Sequence, residues 1–188
     1  MIERHQLVPF LPPNAKILML GSFPPPKQRW CIDFFYPNYI NDMWRIMGLI
    51  FFNDKNRFCI LDEKKFDREA IIKFCNDYGI AIFDTASAVI RHKSNASDKF
   101  LEIVEPTNIY ALLEQIPNCH AIVTTGEKAS ATLVETFNCD IPKVGSYIEI
   151  HNPQELRFYR MPSSSRAYPM KLEDKAKAYK KMFDEIVF

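Results

Sequence analysis

The chain has 188 residues and a formal net charge of +1 at pH 7, which suits one domain (1–188) and gives the whole chain no polyanion-binding signature. Hydrophobic residues make up 47% of it, enough for a sizeable core. Its five cysteines form no C-x-x-C pair, which argues against a zinc or iron–sulfur site and favours reduced thiols in a cytoplasmic protein. No apolar run approaches the ~20 residues that span a bilayer, so we expect no membrane contact.

Short apolar runs alternate with helical patterns along the chain. In chain order, we predict a strand at 16–20, helices at 41–51 and 66–78, a strand at 80–83, a helix at 108–116, a strand at 121–125, a helix at 127–137, an edge strand at 144–150, a strand at 157–161 and a helix at 172–186. Most of these strands are too uniformly apolar to face water, which is typical of a parallel sheet covered on both faces. We therefore predict an α/β fold of three layers, α/β/α, around a central, mainly parallel four-stranded sheet.

The residues after the four predicted core strands should meet at one edge of the sheet. In such sheets the ligand crevice lies outside the carboxyl ends of the strands. The tips are residues 21–23, 84–86, 126–127 and 162–165. The connection from Gly21 to Ile40 is long and rich in aromatic residues, and so long a structureless connection is uncommon unless it builds a binding or catalytic site.

The late segment Ser163, Ser164, Ser165 and Arg166 offers groups that bind anions. Successive hydroxyl and backbone N–H groups near a helix start can hold a phosphate, and Arg166 can reach the same anion. A serine-rich turn that also caps the last helix explains these residues equally well. A serine hydrolase is excluded, because no serine lies in a G-x-S-x-G motif.

Two polar residues allow both a structural and a functional interpretation. Asp84 ends a buried strand, where an unpaired carboxylate is costly, so it either caps a helix or faces a pocket. Asn41 is either a helix N-cap or a catalytic amide. The histidines share no ligand spacing, so we interpret them as non-catalytic, His5 included, and leave only His92 open because its loop is polar and near a strand tip.

Taken in order, these motifs resemble the uracil-DNA glycosylase superfamily, nearest to its mismatch-specific and hypoxanthine-DNA glycosylase branch. In that branch a strand ends in G-S-F-P-S or G-I-N-P-G, a stretch like F-Y-Y-G-H-P-x-N-R-F-W follows, and a late strand ends in L-P-S-T-S-P-A-N or N-P-S-G-L. The corresponding stretches here are residues 21–24, 34–44 and 161–167. Residues 80–98 and 121–129 resemble the second and third strands with their following segments.

The resemblance implies a monofunctional DNA N-glycosylase that flips uracil or hypoxanthine out of DNA and hydrolyses its N-glycosidic bond in base excision repair. It implies Asn41 as the catalytic residue and Tyr36 as the ring that stacks on the base. The implied substrate-binding residues are Gly21, Ser22, Phe23, Tyr36 and Asp84, and the implied DNA-binding residues are Ser163, Ser164, Ser165 and Arg166. We expect DNA with a deaminated or mismatched base as partner, a monomer, and neither cofactor nor metal.

The chain also departs from the pattern of that branch. The G-H-P before the asparagine is Pro37–Asn38–Tyr39, and the arginine after it is Asp42. The aspartate and histidine of the classical uracil enzymes are absent from the first and last motifs. These departures favour a second hypothesis, a non-catalytic protein of the same fold that binds damaged DNA or a nucleotide. A third is an interaction domain whose aromatic loop contacts a protein partner.

Overall fold

The computed structural model describes residues 1–92, 100–151 and 153–186. The strands are β1 (Ile2–Arg4), β2 (Ile17–Gly21), β3 (Cys59–Ile60), β4 (Lys65–Phe66), β5 (Ile80–Asp84), β6 (Ala86–Arg91), β7 (Leu101–Pro106), β8 (Ala121–Thr125), β9 (Ser146–Ile150) and β10 (Leu156–Met161). The α-helices are α1 (Met43–Phe52), α2 (Arg68–Asp77), α3 (Ile109–Gln115), α4 (Glu127–Phe137) and α5 (Leu172–Glu185). Residues 93–98, the end of the stretch compared above with the second strand and its following segment, lie outside the described residues.

The central sheet has the strand order β5-β2-β8-β10-β9. Strands β5, β2, β8 and β10 are parallel, and β9 joins β10 at the edge as an antiparallel strand. Every residue of β2, β5 and β8 is buried, as their apolar sequences require. The prediction of a mainly parallel sheet with four core strands is therefore confirmed, and the predicted edge strand is its fifth.

Helices cover both faces of this sheet. The chain moves from β2 to β5 in one direction along the sheet and from β5 to β8 and β10 in the other. Since parallel crossovers are right-handed, α1 and α2 lie on one face and α3 and α4 on the opposite face. Helix α5 packs against α1, and the predicted three-layer α/β/α fold is confirmed.

A second sheet, absent from the sequence prediction, consists of β1, β6 and β7 in antiparallel order β1-β6-β7. Strand β1 has only three residues, and β6 mixes alanine, serine and arginine with its apolar residues, so neither gives a clear periodic signal. The register pairs Ile2 with Ile90 and Arg4 with Ala88. This pairing brings the N-terminus of the chain to the carboxyl end of β5.

All five cysteines are free thiols. Burial raises the pKa of the Cys119 thiol to about 12 and raises that of Cys75 further still, so both are protonated at neutral pH. Within residues 1–92, 100–151 and 153–186, no helix has both the length and the apolar character needed to cross a membrane.

Candidate functional site

A cavity of about 940 Å³ opens at the carboxyl edge of the central sheet. Its volume lies within the roughly 300–1,000 Å³ of typical small-molecule sites. Every residue that the resemblance implies as catalytic, substrate-binding or DNA-binding lines it: Gly21, Ser22, Phe23, Tyr36, Asn41, Asp84, Ser163, Ser164, Ser165 and Arg166. The connection from Gly21 to Ile40 and the loop of residues 163–166, called the serine loop below, thus face each other across this cavity. This is expected from the parallel order of the strands that lead into them.

Gly21 and Asp84 are register partners at the ends of β2 and β5. A Cβ atom on Gly21 would overlap Oδ1 of Asp84 and would lie 3.8 Å from the Tyr36 hydroxyl. Any side chain at position 21 would collide with the Asp84 carboxylate, which occupies the space next to the Gly21 Cα. This position therefore requires glycine. Asp84 lines the cavity, and it caps none of the helices in the part of the chain that the structure describes.

Asp84 is paired with His5, which the sequence analysis gave no role. The Nε2 atom of His5 lies 2.7 Å from Oδ2 of Asp84, and the two side chains are 4% and 11% exposed. The imidazole packs against Phe23 and Phe83, with ring centroids 5.4 and 4.4 Å away. This pair joins residues 79 positions apart through β1, and no local sequence signal could have revealed it.

Tyr36 is held in position from both ends of its side chain. Its hydroxyl lies 2.8 Å from Oγ1 of Thr125 at the end of β8, and its ring meets Trp44 edge-on with centroids 6.0 Å apart. Its backbone is left-handed, with φ of 50°, which costs a non-glycine residue about 1–3 kcal/mol. The surrounding contacts therefore fix this ring at the cavity wall against a local preference for another conformation.

Asn41 makes a cap-like hydrogen bond and also lines the cavity. Its Oδ1 accepts a hydrogen bond from the backbone N–H of Met43 at 2.9 Å, as a helix cap does, although the residue directly before α1 is Asp42. Asn41 also lines the cavity. Its Nδ2 makes no hydrogen bond with any residue that the structure describes, so the amide can donate to a bound molecule.

Asp42, a departure from the resembled motif, ties the serine loop to the start of α1. Its buried carboxylate lies 3.0 Å from Nζ of Lys175 and 3.3 Å from the Arg166 guanidinium. Lys175 also donates to the carbonyl of Ser165 at 2.8 Å, and the Asp42 backbone N–H donates to the carbonyl of Ser164 at 2.9 Å. The ion pairs of its carboxylate thus explain why an acidic residue occupies position 42 in this chain.

The serine loop is a turn and does not cap the last helix. The backbone N–H of Ser165 donates to Oγ of Ser163 at 3.2 Å, and the N–H of Ala167 donates to Oγ of Ser165 at 3.3 Å. Helix α5 starts later, at Leu172, with no side-chain cap. The serine hydroxyls keep their own hydrogens, which can be donated to an anion in the cavity.

His92, the histidine left open by the sequence, lies elsewhere. Its Nε2 is 2.9 Å from a carboxylate oxygen of Glu102, and both side chains are exposed. It does not line the cavity. In the described part of the chain, no three His, Cys, Asp or Glu side chains converge as a metal-binding group.

Comparisons with known proteins bear on the fold. No family model matches the sequence, and no curated protein matches it. Among solved structures, the chain is similar to the solution NMR structure of a protein from Methanosarcina acetivorans that is provisionally described as a uracil DNA glycosylase. The two chains are 22% identical over 99% of each, with a TM-score of 0.64. The chain therefore shares the fold of that protein along its whole length.

Proposed function

We propose that this protein is a DNA N-glycosylase that removes a deaminated base, uracil or hypoxanthine, in base excision repair. The observation that carries the proposal is the cavity in which an amide donor, a carboxylate acceptor, a fixed aromatic ring and a serine loop converge. The shared fold with a protein described as a uracil DNA glycosylase supports it.

The reaction breaks the bond between C1′ of the sugar and the ring nitrogen of the base. The base leaves with the bonding electrons, water adds to C1′, and the proton released by the water goes to the base or to solvent. The sugar is cationic in the transition state, so hydrogen-bond donors to the departing base and nearby phosphate charge both lower the barrier. Asn41 is suited to this task because its Nδ2 is available as a donor.

Flipping a base out of the helix costs a few kcal/mol, and less at a mismatch. Stacking on an aromatic ring returns about 1–3 kcal/mol per base. Tyr36, fixed by Thr125 and Trp44, supplies such a ring without having to be ordered at the moment of binding. Ser163, Ser165 and Arg166 would hold the flanking phosphates.

The experiment is excision from short duplexes that carry uracil or hypoxanthine, followed by alkaline cleavage at abasic sites. Wild type should release one of these bases, and Asn41→Ala should abolish release. Asn118→Ala is the matched control, because Asn118 is exposed and precedes β8 at the opposite edge of the sheet. Inactivity of the wild type on both bases in every pairing context would remove the enzymatic proposal.

The second candidate is a non-catalytic protein that binds damaged DNA. It is favoured by the hydrogen bond from Met43 to Oδ1 of Asn41, which uses a lone pair that could otherwise orient a water. The same assay separates the candidates, because a binder shifts the oligonucleotide on a gel but leaves it stable to alkali.

A further inference from the structure

A second cavity, of about 450 Å³, lies beside the cavity proposed for the base. Four of the described residues that line it are cations: Arg45, Lys55, Arg166 and Lys171. Asp42 also lines it, but Nζ of Lys175 lies 3.0 Å from that carboxylate and offsets its charge from outside the lining. We infer that this second cavity, called the basic pocket below, is a binding site for a phosphate group.

The basic pocket lies at the same edge of the central sheet as the base cavity. Arg166 lines both cavities. Arg45 is the third residue of α1, the helix that begins just after Asn41, and Lys171 directly precedes α5. The two cavities are therefore neighbours, so a DNA strand that enters one can pass over the other.

Arg45 is held in place before any ligand binds. Its Nη1 donates to the carbonyl oxygens of Tyr39 and Asn41 at 2.7 and 3.1 Å. Its guanidinium lies over the rings of Tyr39 and Phe66, 4.7 and 5.2 Å from their centroids. Within the described residues, its Nε and Nη2 donate no hydrogen bond. Because a guanidinium is a planar fork that matches the oxygens of a phosphate, Arg45 offers such an anion a preordered contact.

Lys55 and Lys171 add positive charge that no acidic side chain offsets nearby. Both are exposed, and in the part of the chain that the structure describes neither pairs with a carboxylate. The later lysines of α5 differ, because Lys177, Lys180 and Lys181 lie 3.5, 2.7 and 3.9 Å from carboxylate oxygens. Like charges that line one cavity repel one another, and a bound phosphate would relieve that repulsion.

The start of α5 adds to the attraction for an anion. Leu172, its first residue, lines the basic pocket, and no side chain caps the helix there. The N-terminus of a helix favours anions through its free N–H groups and its dipole. Glu173 and Asp174 belong to the same turn but do not line the pocket.

Two sources supply the same ligand chemistry, a backbone phosphate of DNA and the phosphate of a free nucleotide. The wall that the two cavities share at Arg166 favours DNA, and the experiment distinguishes the two sources. The inference does not depend on base release, because Asn41 lines the base cavity and not the basic pocket.

The test removes the two unpaired lysines together. Lys55→Gln with Lys171→Gln, called the pocket variant, changes no residue that lines the base cavity. Lys177→Gln with Lys181→Gln is the matched control, because it removes the same charge from side chains that are 80% and 71% exposed and lie outside the pocket. Since all four lysines are exposed, both variants should unfold in urea as the wild type does.

The measurement has two arms. The first follows affinity for an undamaged duplex over a range of salt concentrations, and the slope of log affinity against log salt should be smaller by about 1 in the pocket variant. The second titrates inorganic phosphate against chloride at constant ionic strength and follows the NMR signals of Asn56 and Leu172, which line the pocket. Wild type and the control variant should show a saturable shift that the pocket variant lacks.

The outcomes separate the phosphate site from the proposed function. A smaller salt slope in the pocket variant identifies DNA as the source of the phosphate. An unchanged slope with loss of the phosphate titration identifies a free nucleotide. A pocket variant that matches the wild type in both arms, or a control variant that changes as much, would overturn the inference. Failure of the wild type to release uracil or hypoxanthine would remove the proposed enzyme and leave both arms as they are.

Discussion

Nζ of Lys175 lies 3.0 Å from Oδ2 of Asp42, and the two side chains are 0% and 8% exposed. The same Nζ donates to the carbonyl of Ser165. One buried cation thus joins α5, the residue before α1 and the serine loop at the cavity.

Removing this cation should destabilise the fold. Among the residues that the structure describes, Lys175→Met leaves the half-exposed Arg166 as the one charged partner of the buried Asp42 carboxylate. Breaking a buried ion pair costs about 3–5 kcal/mol. We expect the free energy of unfolding in urea to fall by about 3 kcal/mol. Lys177→Met is the matched control, since Lys177 lies on the same helix and is 80% exposed, and should change it by about 0.5 kcal/mol or less. An equal loss of unfolding free energy in Lys175→Met and Lys177→Met would show that the buried pair of Lys175 and Asp42 does not stabilise the fold.

A methyl group on Gly21 should disturb the site more than the fold. In Gly21→Ala the new Cβ meets Oδ1 of Asp84, so the carboxylate must move away from its position beside His5. We expect at least about a tenfold loss of kcat/KM, which corresponds to about 1.4 kcal/mol. The double variant Gly21→Ala with Asp84→Ala removes the overlap, so its unfolding free energy should exceed the value expected from adding the two single losses. Strict additivity would show that the two positions do not meet.

Arg166 should contribute to DNA affinity through charge. Its guanidinium is 53% exposed and lines the cavity. Arg166→Ala should weaken binding of all sequences alike and lower the slope of log affinity against log salt by about 1. Lys73→Ala is the control, because Lys73 is 75% exposed and lies near the end of α2 that leads into the amino end of β5. An unchanged slope in Arg166→Ala would show that this residue serves only the contact with Asp42.

Because two thiols are buried, we predict that the free energy of unfolding falls at alkaline pH. Burial raises the pKa of Cys119 from 9.0 to about 12, and that of Cys75 is also raised. The unfolded chain therefore releases these protons at lower pH than the folded chain, so unfolding becomes more favourable as pH rises above 9. We expect the free energy of unfolding to fall by about 1 kcal/mol per thiol between pH 9 and pH 10. The double variant Cys75→Ala with Cys119→Ala should lose correspondingly less over this interval, measured by urea unfolding at both pH values.

Much of the architecture follows from the sequence. The apolar runs of β2, β5 and β8 are compatible only with burial on both faces, and that requirement leads to a parallel sheet covered by helices. Parallel strands end at the same edge of a sheet. The positions of Gly21, Asp84 and the serine loop at the carboxyl ends of their strands therefore already predict that they face each other.

The partners of the polar groups were decided by the tertiary structure alone. His5 meets Asp84 across 79 residues and Lys175 meets Asp42 across 133, and the sheet that delivers His5 contains a strand of three residues. A local pattern of apolar and polar residues determines which side of an element is buried. It does not determine which distant charge a buried carboxylate will meet, because that depends on how separately formed elements pack together.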